Sequence, residues 1–225
     1  MDVDPVLRRL FQYFCSSPVP FPSIPDSLVL PSVIENVYVA LTTFQSRTLL
    51  DTAKPVLEAG CGDARVAALF AYLGFRVLAI DFDPTLIDAA RSNIEALVAD
   101  GIIPKDSVTL HCGDYMDREA YDLLGFPMIH FGTVYYYNDS GACLEKTVNM
   151  IQDSFSPQTI FLNLWGDLDL CFPQIDIFPM WPLYGLDAPP TSDLSASFRD
   201  APKGTYQNEN DVFEAGLSLV AYVKE

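Results

Sequence analysis

Apolar and polar positions along this chain follow two periods, and the switches between them mark its elements. Val56 and Leu57 open a short apolar run behind Pro55, as a buried strand does, whereas after Asp63 the spacing turns helical, with Val66, Leu69, Phe70 and Leu73 on one side. Strand, turn and helix therefore succeed one another around Glu58-Ala59-Gly60-Cys61-Gly62-Asp63. The same order returns downstream. Arg76 to Ile80 reads as strand two, and Asp83 caps a helix that Pro84 opens and that runs to Ala99. Ser107 to Cys112 reads as strand three, the segment from about Asp117 to Leu124 as a helix, and Pro127 to Phe131 as strand four. Asp139-Ser140 caps a helix to Asp153 with Leu144, Val148 and Ile151 inward. Thr159 to Leu164 is strand five, and Leu217 to Val223 is a terminal strand that completes the sheet of an α/β chain.

Both flanks of this pattern carry prolines. Val6, Leu7, Leu10, Phe11 and Phe14 give Pro5 to Phe14 helical spacing, after which Pro18, Pro20, Pro22, Pro25 and Pro31 break the chain. Ser32-Val33-Ile34-Glu35 is a capping box, so a second helix starts at Ser32 and runs to about Leu50. Residues 1–31 thus read as an N-terminal helix with a proline-rich linker, and 32–225 as the main domain. From Trp165 to Asn210 the pattern fails at Pro173, Pro179, Pro182, Pro189, Pro190 and Pro202, with Ile175 to Phe178 as a short strand candidate. A long irregular insertion at about 165–210 in a compact domain is often a lid or substrate loop.

Composition changes the picture by exclusion. A chain of 225 residues with 50% hydrophobic content can bury a real core. No apolar run approaches the roughly 18 residues that span a bilayer, and Met1-Asp2-Val3-Asp4-Pro5 lacks the basic flank and apolar core of a signal peptide. A soluble cytoplasmic protein is expected. A formal charge of −17 argues against a nucleic-acid partner and leaves a small molecule or a basic protein segment as substrate. Cys15, Cys61, Cys112, Cys143 and Cys171 have no paired spacing, which fits reduced thiols. His111 and His130 fall inside apolar runs and are expected in the core, and no metal signature is present.

The chemistry concentrates at the glycine turn. Gly60 and Gly62 take backbone angles that other residues resist, and they let a ligand touch the main chain at a helix N-terminus. A dinucleotide fingerprint would place a third glycine at 65, where this chain has Arg65, which disfavours an NAD(P) oxidoreductase. Glu58 ahead of the turn would repel a pyrophosphate but can bind, directly or through water, the ammonium of an amino-acid-like ligand. Asp81, 19 residues past Gly62, ends strand two and can accept both hydroxyls of a ribose.

Glu-Ala-Gly-Cys-Gly-Asp closely resembles the first motif of the class I S-adenosylmethionine-dependent methyltransferases, with Ala64 where that family often has a third glycine. The order of Glu58 to Gly62, Asp81, Asp114 and the strand-four edge carries the resemblance over roughly residues 32–165. It implies a Rossmann-like three-layer sandwich with a mostly parallel seven-stranded sheet, helices on both faces, and S-adenosyl-L-methionine as methyl donor. It further implies that Asp114 bonds the adenine amino group while Tyr115 packs on the ring. Cys61, Phe82, Phe131 and Gly132 complete the implied cofactor set. The helix before strand one would help to cover the donor, bringing Tyr38, Thr43 and Gln45 within reach, although a helix packed on the sheet explains the same pattern.

At the carboxyl edge of strand four, Tyr135, Tyr136, Tyr137 and Asn138 stand where donor and acceptor must meet. Tyrosines there can exclude water and orient an amine, or they are ordinary packing. The Asn-Pro-Pro-Tyr edge of many amino-group methyltransferases is absent; Thr133-Val134-Tyr135-Tyr136-Tyr137-Asn138 takes its place. The expected activity is methyl transfer to a small molecule or a protein side chain, lysine included. The alternative is a non-catalytic module that binds the donor and acts as a partner or regulator.

Overall fold

The computed structural model describes residues 4–16, 34, 37–38, 41–42, 51–117, 128–131, 141–155, 157, 159–163, 171–179 and 218–225. Its elements in chain order are α1 (Pro5–Ser16), β1 (Val56–Ala59), α2 (Arg65–Tyr72), β2 (Val77–Asp81), α3 (Pro84–Ala99), β3 (Val108–Cys112), β4 (Met128–Phe131), α4 (Gly141–Ser154), β5 (Ile160–Asn163), β6 (Gln174–Pro179) and β7 (Ser218–Val223). Strands β1 to β5 pair in parallel, which demands crossovers, and α2, α3 and α4 stand in three of those connections. The terminal strand β7 runs antiparallel between β5 and β6, giving the order β3-β2-β1-β4-β5-β7-β6. The chain runs outward from β1 through β2 to β3 and then returns to β1's other flank with β4. In open α/β sheets such a switch opens the crevice where ligands bind, beyond the carboxyl ends of the strands.

Strand alternation divides the core into two layers. Val56, Val77, Ala79, Ile160 and Leu162 face α2, α3 and α1, while Leu57, Ala59, Leu78, Ile80 and Tyr222 face Met150 and Ile151 of α4 and Phe155 just beyond it. All residues of β1 and β2 are buried, as parallel strands covered on both faces require. Helix α1 belongs to the first layer, through Leu7, Leu10, Phe11 and Phe14. A helix of 12 residues is marginal in water, whereas each fully buried side chain of this size contributes about 1.5–3 kcal/mol. Burial therefore holds α1 in place. The described residues of the segment from 32 to 50 are helical, with Ile34, Val37 and Leu41 in the same core.

The structure corrects one expectation. His111 is exposed, because β3 ends the strand order and its Val108 and Leu110 are only half-buried. His130 lies in β4 opposite Glu58 of β1 in backbone register. The strand candidate Ile175 to Phe178 lies in β6, within the stretch expected to be irregular. The proline-rich linker, the helix expected from Asp117 to Leu124 beyond its first residue, and the insertion outside 171–179 fall outside the described residues.

Asp83 caps α3 as its position before Pro84 foretold: its Oδ1 accepts from the Thr85 N–H at 2.8 Å. Asp83→Ala should cost about 1 kcal/mol and lower the thermal midpoint by about 2–4 °C, read by calorimetric unfolding with the far-ultraviolet spectrum unchanged.

Candidate functional site

The site forms where the carboxyl ends of β1, β2 and β3 are tied together by the backbone around Asp81. The N–H groups of Gly60 and Cys61 both donate to the Ile80 carbonyl, at 2.8 and 2.9 Å, so the turn leaving β1 folds back over the end of β2. Asp81 then makes three further ties. Its Oδ2 accepts from Gly62 N–H at 2.9 Å, its Oδ1 accepts from Asp83 N–H at 3.0 Å, and its carbonyl accepts from Gly113 N–H at 2.9 Å. Gly60 and Gly62 have φ of 72° and 54°, the left-handed region that a side chain disfavours. Ala64 follows with φ 63° and pays for that conformation about 1–2 kcal/mol.

Asp63 stabilises this strained turn from within. Its carboxylate takes a bidentate bond from Arg65, Nε to Oδ1 at 2.9 Å and Nη2 to Oδ2 at 2.7 Å, while the Arg65 guanidinium lies 5.7 Å from the Phe14 ring centre. The Asp63 carbonyl accepts from Asn93 Nδ2 at 3.0 Å, and Asn93 Oδ1 accepts from the Tyr13 hydroxyl at 3.1 Å. Arg65 thus closes a local ion pair at the position where a dinucleotide fingerprint has glycine.

Two carboxylates flank the turn in nearly dry surroundings, Glu58 at 2% and Asp81 at 3% exposure. Burial drives the Glu58 carboxyl well above its ordinary range; the Ala67 N–H at the start of α2 pulls it back, and the charges of Asp63 and Asp81 push it further up. Asp81 is raised by burial too, against the downward pull of the Asp83 and Gly62 N–H groups. Cys61 is buried beside both, and burial with the nearby negative charges raises its thiol well above the usual range, so it stays protonated.

Farther along the edge, Phe82 is 64% exposed, the one large hydrophobic so exposed among the described residues. Asp114 is also exposed, and its Oδ1 accepts from Met116 N–H at 2.8 Å. Tyr115 is only 5% exposed and packs with Leu57, Ala59, Leu78 and Ile80 in the second core layer. Phe131 ends β4 in register with Ala59 and Asn163, across the switch from the glycine turn. Glu58, Gly60, Cys61, Gly62, Asp81 and Phe82 are therefore gathered at one edge, with Gly113-Asp114 tied to it through Asp81. Tyr38 is half-buried and packs edge-on against Phe11, with ring centres 6.0 Å apart. Gly132, Tyr135, Tyr136, Tyr137, Asn138, Thr43 and Gln45 lie outside the described residues.

Asn93 and Tyr13 escaped sequence reasoning, and Phe14 reads there as part of a buried stripe, without its contact to Arg65. Asn93 had a visible signal: it is a polar residue on the apolar stripe formed by Leu86, Ile87, Ala90 and Leu97 of α3, and it is buried with them.

The donor set can be tested against a ligand by its chemistry. Two buried carboxyl groups beside a left-handed glycine turn suit a cationic, hydroxyl-bearing molecule and disfavour an anionic one, because an added negative charge makes their ionised, desolvated forms costlier still. An adenosyl sulfonium that carries an amino acid satisfies this requirement. Both Asp81 oxygens already accept backbone bonds, and a carboxylate retains further lone-pair sites for incoming hydroxyls.

Asp81→Asn leaves one acceptor oxygen for two N–H groups, so it should destabilise the free protein by about 1–3 kcal/mol in denaturant titration, before any ligand is added. Glu58→Gln should do the opposite at neutral pH. A carboxyl whose pKa is raised on folding stabilises the fold most below its unfolded value, ordinarily 4.5, and that advantage is lost as pH rises through the folded value. Thermal midpoints measured from pH 3 to 8 should therefore fall less steeply in Glu58→Gln than in wild type, and the variant should melt higher at the neutral end.

Residues 56–152 match the family described as a methyltransferase domain. A curated relative, the magnesium-protoporphyrin O-methyltransferase of Rhodobacter capsulatus, is 28% identical over 137 residues, which cover 59% of this chain and 58% of that protein. The matched part thus spans less than two thirds of that relative's length. Among solved structures, a SAM-dependent methyltransferase from Thiobacillus denitrificans in complex with S-adenosyl-L-homocysteine shares the fold with a TM-score of 0.51 at 16% identity, over 99% of this chain and 98% of that one. A TehB-like SAM-dependent methyltransferase from Corynebacterium glutamicum shares it with a TM-score of 0.50 at 14% identity, over 87% and 100%. The glycine turn and the two buried carboxylates lie within the residues that match the methyltransferase domain, and the chain is similar in fold to S-adenosylmethionine-dependent methyltransferases.

Proposed function

We propose that the protein transfers the methyl group of S-adenosyl-L-methionine to a small-molecule acceptor held beside the carboxyl end of β4. The observation that carries this reading is the pairing of Glu58 and Asp81, both buried, on either side of the Gly60–Gly62 turn within the matched methyltransferase domain. Glu58 meets the ammonium of the donor, directly or through water, and Asp81 accepts the ribose hydroxyls on the lone-pair sites its backbone bonds leave open. Asp114 accepts from the adenine amino group, and Phe82 offers its exposed ring to the adenine face. Tyr115, buried, supports that edge from the core, and this reading also assigns Cys61, Phe131 and Gly132 to the donor. The domain taken as 32–225 forms the seven-stranded, three-layer sandwich, with α1 packed onto it, in keeping with the strand order.

The donor supplies a methyl carbon on a positively charged sulfur, and transfer is an in-line displacement that releases a neutral thioether. The chain's residues contribute alignment and exclusion of water, which can carry much of the rate of such a step. Tyr135, Tyr136, Tyr137 and Asn138 are the residues this reading places around the acceptor, with the segment at 165–210 above them. The curated relative is an O-methyltransferase of magnesium protoporphyrin, a small molecule, which favours a small acceptor over a protein side chain such as lysine.

Calorimetry with S-adenosylmethionine and S-adenosylhomocysteine, followed by labelled-methyl transfer into separated small-molecule and protein fractions, tests the proposal. Wild type should bind both ligands. Phe82→Ala should bind about 2–10-fold more weakly through loss of ring contact, and Asp114→Asn should lose about 1–3 kcal/mol. No binding by wild type, or equal binding by both variants, would refute the cofactor site. Binding with no transfer into either fraction would make the protein a non-catalytic module, and label in protein alone would move the acceptor to a side chain.

A further inference from the structure

Helix α1 holds Asp63 from two sides through two consecutive residues. Tyr13 reaches it through Asn93, whose amide orientation is set at both ends: Oδ1 accepts from the tyrosine hydroxyl and Nδ2 donates to the Asp63 carbonyl. Phe14 reaches it through Arg65, whose guanidinium stands over the ring and forks onto the Asp63 carboxylate. The two rings brace each other edge-on, with centres 5.3 Å apart. At its other end α1 is pinned to the end of α2, where the Tyr72 hydroxyl donates to Asp4 Oδ2 at 2.5 Å while Asp4 Oδ1 caps Val6 N–H at 2.8 Å. Asp63 sits between Gly62 and Ala64, both in the left-handed region, and a non-glycine residue keeps that conformation only where its surroundings over-determine it.

We infer that Tyr13, Phe14 and Asn93 are positioning residues for the donor site: docking of α1 sets the Gly60–Ala64 turn, and α1 docking and donor binding are coupled. The inference rests on the reading of this turn as the S-adenosylmethionine site. No residue of the set needs to touch the donor. Asn93 and Arg65 fix the carbonyl and the side chain of Asp63, and so the direction of the N–H groups on either side of it. Because binding couplings are reciprocal, the donor must tighten α1 by the factor by which α1 tightens the donor.

The test compares Tyr13→Phe, which removes one hydroxyl at a half-buried position, and Arg65→Lys, which keeps the charge and loses the fork, with Ile160→Val in β5 as a control of comparable thermal destabilisation. Affinity for S-adenosylhomocysteine is read by calorimetry, and amide exchange of residues 11–16 is followed with and without that ligand. The inference expects Tyr13→Phe and Arg65→Lys to bind about 5-fold or more weakly, the control to bind as wild type does, and the ligand to slow exchange in α1 of wild type more than in Tyr13→Phe. Unchanged affinity in Tyr13→Phe and Arg65→Lys, equal weakening in the control, or α1 exchange indifferent to ligand would overturn it and leave α1 as packing. If wild type binds neither S-adenosylmethionine nor its product, the methyltransferase reading falls first, and that outcome is seen before any variant is compared.

Discussion

The carboxylate of Asp81 is the joint on which the candidate site depends. One oxygen holds Gly62 N–H, the other holds Asp83 N–H, and the residue's own carbonyl holds Gly113 N–H. Three strand ends that share no sequence neighbourhood are thereby kept within reach of one ligand. The bonds form in nearly dry surroundings, where an acceptor that lost its donors would bear the full cost of desolvation. That cost explains why a charge-bearing residue can end a strand that is otherwise wholly apolar.

Around that joint the chain accumulates negative charge where burial makes it expensive. Glu58, Asp63 and Asp81 are all nearly dry, and Arg65 forks onto Asp63. The upward displacement of the Glu58 and Asp81 carboxyls is the physical trace of this arrangement.

Exposure follows the same division of labour. Phe82 presents its ring at the mouth of the site, while Tyr115, nearby in sequence to Asp114, turns into the core. Both are aromatic residues next to an aspartate at a strand end, and nothing in their local sequence separates them. Packing decides between them, since Tyr115 joins the second core layer and Phe82 is left in solvent, and β3 itself is open enough at the end of the order to leave His111 in solvent.

Much of the fold was legible because period and punctuation are local. The run behind Pro55, the glycine turn, the Asp83-Pro84 cap and the helix to Ala99 all follow from residues a few positions apart, and so does the candidacy of Glu58 and Asp81. What only the tertiary structure decided are relations between residues far apart in the chain. The grip of Tyr13 and Phe14 on Asp63 spans some fifty residues; that of Tyr13 passes through Asn93, thirty positions farther on, and that of Phe14 through Arg65. The Pro5–Ser16 helix was visible in the pattern of Leu7, Leu10, Phe11 and Phe14, yet an amphipathic stripe specifies only that a face is buried, not what buries it. Packing supplies that partner, and with it the link between the first helix and the turn.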